Sequence, residues 1–330
     1  MPRHFLTGAE LSAGELATLL DRALELKGAP LSSRALAGRG VALIFEKPST
    51  RTRVSFEMAV FELGGHPLVL RSGEMQLSRG ESPRDTALVL SRQVAAIGMR
   101  TGPDAVLAEL ADHAQVPVFN MLTALHHPCQ ALADLLTLRE AFGSLSGLRL
   151  AYVGDGTNVA RSLALLGALA GMQVAIASPE GYELQEEIAP PPGAGGSISL
   201  HRDPREAVAG AHAVYTDVWV SMGEEDGAAE GRSALGPQLA AGSPIARRRA
   251  ALAPYRLDDA LLDLAAPGAI ALHCLPAHPG EEITAEVLYG QRQRIWDQAE
   301  NRRHAQKALL ELLVPASGTP RGAQAGEPAS

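Results

Sequence analysis

Lysine is almost missing from this 330-residue chain, which has only Lys27, Lys47 and Lys307, so arginine carries nearly all the positive charge. Acidic groups still outnumber basic ones, for a net charge of -8. That balance excludes a nucleic acid or an anionic membrane recognised through bulk positive charge, but leaves room for a local cationic pocket. Cysteine is also scarce: Cys129 and Cys274 stand far apart and form no CxxC pair. This excludes a disulfide framework and fits a reducing cytoplasm. Long hydrophobic runs are lacking. The longest, residues 163–177, is broken by Gly167, Gly171 and Gln173 and falls short of the roughly 20 residues a membrane span requires. The opening residues, Met-Pro-Arg-His-Phe, do not read as a signal peptide. The histidines outside the motifs below show no metal-ligand spacing with cysteines or carboxylates, so neither a metal nor an organic cofactor is expected.

What the chain does have is an ordinary globular apolar content, 46% hydrophobic residues, and more length than one core usually serves. Short β-rich runs at 41–45, 67–70, 95–99 and 116–119 alternate with helical patterns, including 54–63. Another helix is predicted to open at Ser82-Pro83-Arg84-Asp85, with Ser82 as cap and Pro83 in the first turn. After a helical segment at 130–141 closed by Gly143, new strands are expected at 148–153, 173–177, 197–200, 213–216 and 269–273. Repeated βα units imply an α/β fold of two doubly wound parallel-sheet domains joined by interdomain helices. The boundaries expected are 1–135 and 136–297, with a last helix at about 298–314 returning to the first domain. Residues 189–196, 223–243 and 315–330 read as loosely ordered, the last as a disordered tail.

The segment Ser49-Thr50-Arg51-Thr52-Arg53 leaves a strand and enters a helix. Free N–H groups in a first helical turn, hydroxyl donors and a guanidinium make a phosphate cradle, although an N-cap followed by solvated arginines has the same local pattern. Arg100 closes another strand at the same carboxyl edge, where open parallel sheets collect ligands. Between a strand and a helix lies His127-Pro128-Cys129-Gln130, in which His127 could donate to an oxyanion and Gln130 could bind an amide from either end. The stretch Gly154-Asp155-Gly156-Thr157-Asn158-Val159 invites a dinucleotide reading. Val159 stands where the fingerprint needs a small residue, however, and no acidic residue ends the next strand.

Taken together, the 49–53 and 127–130 segments resemble the paired signature of the aspartate/ornithine carbamoyltransferase family. The similarity runs over roughly residues 3–314 and includes 80–86, 154–158 and Glu300-Asn301-Arg302. Two motifs, Asp217-Val218-Trp219-Val220-Ser221-Met222-Gly223 and His273-Cys274-Leu275-Pro276, look like those of the ornithine branch. The resemblance implies that Ser49, Thr50, Arg51, Thr52 and Arg100 hold phosphate. It implies that His127, Gln130 and Arg302 reach the carbamoyl group, with Pro128, Cys129, Cys274 and Leu275 completing that subsite. Gln76 is implied to reach carbamoyl phosphate from a neighbouring subunit, and Asn158, Asp217, Ser221 and Met222 to contact ornithine. Arg51, Thr52, His127, Cys274 and Arg302 are the expected catalytic group. A homotrimer or a multiple of trimers is implied, with carbamoyl phosphate and L-ornithine as small-molecule partners. Two departures stand out: Ala124, where the family often has an acidic residue, and a long stretch between Glu224 and Ala253. A carbamoyltransferase for another amine and a catalytically silent carbamoyl phosphate-binding relative are the alternatives.

Overall fold

The computed structural model describes residues 2–220 and 243–314. The expected tail at 315–330 and most of the loose segment at 223–243 lie outside the described residues. After α1 (Ala13–Gly28), the chain builds a parallel sheet from β1 (Gly40–Phe45), β2 (His66–Arg71), β3 (Ala96–Arg100) and β4 (Val118–Leu122), in the order β2-β1-β3-β4. Its crossovers contain α2 (Thr50–Glu62), α3 (Pro83–Leu90) and α4 (Asp104–His113). Helix α5 (Pro128–Phe142) leads to a second parallel sheet. That sheet comprises β5 (Arg149–Val153), β6 (Gln173–Ala177), β7 (Ser197–His201), β8 (Ala213–Thr216) and β9 (Ile270–His273), ordered β7-β6-β5-β8-β9. Helices α6 (Asn158–Leu169), α7 (Pro204–Val208), α8 (Pro244–Leu252), α9 (Asp259–Leu262) and α10 (Ala285–Leu288) connect these strands or follow β9, and α11 (Ile295–Leu313) ends the described chain.

The local reasons match the sequence pattern. Central strands β1, β3 and β8 are apolar on both faces because helices cover both. Ser82 caps α3 by accepting from Asp85 N–H, with Pro83 at the first position. Gly143 stops α5 with φ +77°. Helices begin earlier than the hydrophobic periodicity alone marks: α2 starts at Thr50, a turn before the expected 54, and α5 at Pro128, two residues before the expected 130. Ser49 caps α2, and Pro128 occupies the first position of α5 behind His127, so neither start is marked by the apolar period.

One apolar cluster runs from Phe5, Leu43 and Phe56 through Leu132, Leu135 and Leu163 to Tyr152, Tyr215 and Leu272, so both sheets share buried packing around α5 and α6. Helix α11 packs back on α1, α2 and α5. Among the described residues no helix is long and apolar enough to cross a membrane.

Each sheet reverses direction once. In the first, β2 and β3 lie on opposite sides of β1; in the second, β6 and β8 lie on opposite sides of β5. Loops leaving the carboxyl ends of strands on either side of such a point part and open a crevice. The two crevices face one cleft.

Candidate active site

The cleft has a volume of about 450 Å³ and is lined from both sheets. After β1 come Lys47 and Ser49, followed by Arg51 and Thr52 on α2; Arg100 ends β3; His127 and Gln130 open α5; Arg302 projects from α11. The second sheet contributes Asp155, Gly156 and Asn158 after β5, Asp217 after β8, and Cys274 and Leu275 after β9.

The cationic wall is the dominant electrostatic feature. Arg100 is 8% exposed and Arg302 3%, and among the described residues neither they nor Arg51 has a carboxylate ion-pair partner. The Nε atoms of Arg100 and Arg302 are buried without a hydrogen-bond partner among those residues. Burial, together with the charges of Arg302 and Arg51, lowers the Arg100 guanidinium to about 10. The first turn of α2 adds its positive dipole end, and Ser49 caps it by accepting from Thr52 N–H at 3.3 Å. Uncompensated positive charge at a helix start is built to receive an anion.

Arg302 spans the next layer. It donates to Thr52 Oγ1 at 2.7 Å and to Gln130 Oε1. His127 is held by its backbone N–H, which donates to Ser162 Oγ at 2.7 Å. Its Nδ1 is buried without a partner among the described residues. Burial first, and then Arg302, Arg100 and Arg51, push the imidazole well below its ordinary range, so it is neutral.

On the opposite wall, Asp217 Oδ1 accepts from the Cys274 thiol at 2.9 Å and from Val218 N–H at 2.8 Å. Burial and the neighbouring Asp217 carboxylate push that thiol well above its usual value, which keeps it protonated. Asn158 donates to Thr123 O at 2.6 Å, tying α6 to the β4 loop across the cleft. Gly156 has no room for a Cβ, which would lie 2.5 Å from Leu184 N; this close approach, rather than dinucleotide binding, explains the glycine. Asp217, His273 and Cys274 place donor atoms within 4.8 Å of one another. Yet His273 Nδ1 accepts from Leu275 N–H at 2.8 Å and its Nε2 faces Glu282 Oε1 at 3.2 Å. His273 therefore serves the turn at Leu275, which has φ +61°, rather than an ion.

Several expected residues are placed elsewhere. Thr50, Pro128, Cys129 and Gln76 do not line the cleft. Cys129 is fully buried, donates its thiol to Asn120 O at 3.2 Å and is raised to about 12 by burial, so its side chain belongs to the core. Gln76 lies in an exposed turn after β2. Ser221 and Met222 lie outside the described residues.

Other lining groups were not singled out from sequence. Lys47 sits beside Ser49. Arg248, on α8 within the long stretch after the 217–223 motif, pairs with Asp155 and lies 5.5 Å from the centre of the Tyr182 ring. Behind Gln130, Asp134 Oδ1 accepts from Gln130 Nε2 at 2.8 Å and from Gln298 Nε2 at 2.6 Å. The only sequence signal for this group is spacing: Asp134 follows Gln130 by four, and Gln298 precedes Arg302 by four, each pair on one helix face.

Residues 3–140 match the family model described as aspartate/ornithine carbamoyltransferase, carbamoyl-P binding domain; residues 146–313 match the Asp/Orn binding domain of the same family. A protein named ornithine carbamoyltransferase from Acidothermus cellulolyticus is 52% identical over 330 residues, covering 96% of this chain and 98% of that one. The structure of ornithine carbamoyltransferase from Pyrococcus furiosus is 42% identical with a TM-score of 0.83, covering 95% of this chain and 97% of that one. That from Thermus thermophilus is 41% identical with a TM-score of 0.81, covering 95% and 99%.

Proposed function

Because the chain belongs to the aspartate/ornithine carbamoyltransferase family, we propose that it transfers the carbamoyl group of carbamoyl phosphate to the side-chain amine of L-ornithine, giving L-citrulline and phosphate. The observation that carries this reading is the set of arginines 51, 100 and 302, without carboxylate partners among the described residues, at the start of α2, facing Asp217 and Cys274 across one cleft. One wall suits a phosphate and the other an amine.

Residues 1–135, completed by α11, hold carbamoyl phosphate, and residues 136–297 hold ornithine. Ser49, Thr50, Arg51, Thr52 and Arg100 bind the phosphate, Thr50 through the helix start rather than the cleft wall. The amine nitrogen bonds to the carbamoyl carbon, the carbonyl oxygen takes negative charge, and the bond to the phosphate oxygen then breaks, the phosphate leaving with the proton that the nitrogen gives up. Thr52, His127 and Arg302 stabilise that oxyanion, and the arginines stabilise departing phosphate. A neutral His127 can give only a hydrogen bond here, which matches a site already crowded with positive charge. The amine must shed a proton. An alkylammonium has a reference pKa near 10.4, so freeing it at pH 7 costs roughly 4–5 kcal/mol. A desolvated pocket lowers that cost, and Cys274 with Asp217 orients the amine. Asp217 also suits the α-ammonium, and Asn158 the α-carboxylate.

The assembly is a trimer or a multiple of trimers, in which Gln76 reaches a neighbouring subunit's cleft. Its exposure outside its own cleft supports this, as does the exposed apolar row Val54, Met58 and Phe61 on α2. Two free cysteines fit a cytoplasmic location.

The test is product formation from carbamoyl phosphate with ornithine, N-acetylornithine, putrescine and aspartate supplied separately. Ornithine is expected to be the selective acceptor. Arg51→Ala is expected to lower kcat/KM by about 100-fold or more, the effect of losing charge-assisted contacts to phosphate. Selective turnover of another amine overturns the ornithine assignment.

A further inference from the structure

We propose that Asp134, which lines no part of the cleft, is a positioning residue that selects the carbamoyl group: its buried oxygen fixes the amides of Gln130 and Gln298 so that Gln130 presents an acceptor, and the Cys274–Leu275 turn is held in place, at the same moment. The inference rests on the carbamoyl phosphate reading above and deepens it.

A glutamine amide has two ends of nearly equal size, and what it recognises depends on which end faces the ligand. Here the choice is made from behind. Asp134 Oδ1 accepts Nε2 of Gln130 at 2.8 Å and Nε2 of Gln298 at 2.6 Å. Gln298 Nε2 also donates to Tyr215 Oη at 3.0 Å. With both NH2 groups committed, both amide oxygens point outward. Gln130 Oε1 meets Arg302, and Gln298 Oε1 accepts His273 N–H at 3.0 Å. An amide oxygen has two lone pairs, so Gln130 retains one for an N–H on the ligand. Carbamoyl phosphate offers that N–H; acetyl phosphate, of similar shape, does not.

The hydrogen-bond chain runs from Thr52 through Arg302, Gln130, Asp134 and Gln298 to His273, joining α2, α11, α5 and β9. Each of these side chains is nearly or wholly buried, so water cannot substitute for a missing partner. Asp134 Oδ2 has no partner among the described residues, and burial lifts the carboxyl to about 7. A proton on Oδ2 leaves Oδ1 an acceptor, so the device depends on an oxygen in that place and not on charge.

The test compares wild type, Asp134→Leu and Asp134→Asn by titration calorimetry with carbamoyl phosphate, acetyl phosphate and inorganic phosphate, without amine. Asp134→Leu is expected to weaken carbamoyl phosphate about tenfold or more, the scale of one lost hydrogen bond to a charged network, and to narrow its advantage over acetyl phosphate. Inorganic phosphate should bind within about twofold of wild type, because the α2 cradle is untouched. Asp134→Asn, whose amide oxygen can occupy the same place, should recover most of the lost affinity. Equal weakening of all three ligands, no change in any, or Asp134→Asn no better than Asp134→Leu would overturn the proposal. Should Asp134→Leu not fold, Gln298→Met breaks the next link and is expected to weaken carbamoyl phosphate but not inorganic phosphate; equal effects on both would count against it. Wild type that binds carbamoyl phosphate yet forms no citrulline would remove the ornithine reading and leave this result standing.

Discussion

Three guanidinium groups drawn together without a carboxylate ion-pair partner among the described residues make a folded state that favours the arrival of an anion. Arg100 shows the strain in its lowered value of about 10, caused first by burial and then by Arg302 and Arg51. Asp134 is the opposite case, a carboxyl that burial holds at about 7 against an ordinary 3.8. The folded chain then keeps this proton over a range in which the unfolded chain has released it, so stability is lost as pH rises from about 4 to about 7. Asp134→Asn removes that loss. The variant's melting temperature relative to wild type should therefore rise between pH 5 and pH 8, by an amount equivalent to a few kcal/mol at most. A constant difference across that range would contradict it.

Helix α11 works as an element rather than as a list of residues. Its Arg302 reaches Thr52 on α2, and one turn later Lys307, fully buried, pins the same helix. Lys307 Nζ donates to Glu62 Oε2 at 2.5 Å and to Leu26 O at 3.0 Å, so α11 is locked to both α2 and α1. Lys307→Met would leave Glu62, 6% exposed, with Arg303 at 3.2 Å as its one remaining ion-pair partner among the described residues. The expected cost is about 3 kcal/mol, read by urea unfolding, with a raised KM for carbamoyl phosphate as Arg302 loses its register. Glu62→Gln on that background should restore part of the stability. Elsewhere the helix ends follow from sequence: Ser12 with Glu15 forms a capping box on α1, and Ser82 caps α3.

At the scale of the whole molecule, the cleft exists because two doubly wound sheets place their reversal points face to face, one side lined by Arg51, Arg100 and Arg302 and the other by Asp217 and Cys274. If Gln76 serves a neighbouring cleft, the active unit is larger than one chain. Mixing inactive Gln76→Ala with inactive Arg51→Ala, after dissociation and reassembly, should then regain activity, because some interfaces combine an intact Gln76 with an intact Arg51. No recovery in mixed assemblies verified by mass would place Gln76 outside the neighbour's site.

The sequence by itself determined where the strands of both sheets lie and the organisation into two parallel-sheet α/β units. β6 and β8 fall at the predicted residues, since period, caps and turn residues are local properties. It also marked Arg51, Arg100, His127, Gln130 and Cys274 beside strand ends, and Asp217 and Arg302 through the family resemblance, and the structure brings all of them to one cleft. Only the tertiary structure decided which of their neighbours matter. Cys129 and Gln130 are adjacent, yet one side chain enters the core and the other the cleft, since consecutive residues on a helix point about 100° apart. Asp134, Gln298 and Arg248 carry no motif of their own. Their roles come from partners 164 residues away for Asp134 and Gln298, and 93 for Arg248 and Asp155. A buried hydrogen bond across such distances is set by how α5, α11 and the strand loops pack, and packing is not a local property of the chain.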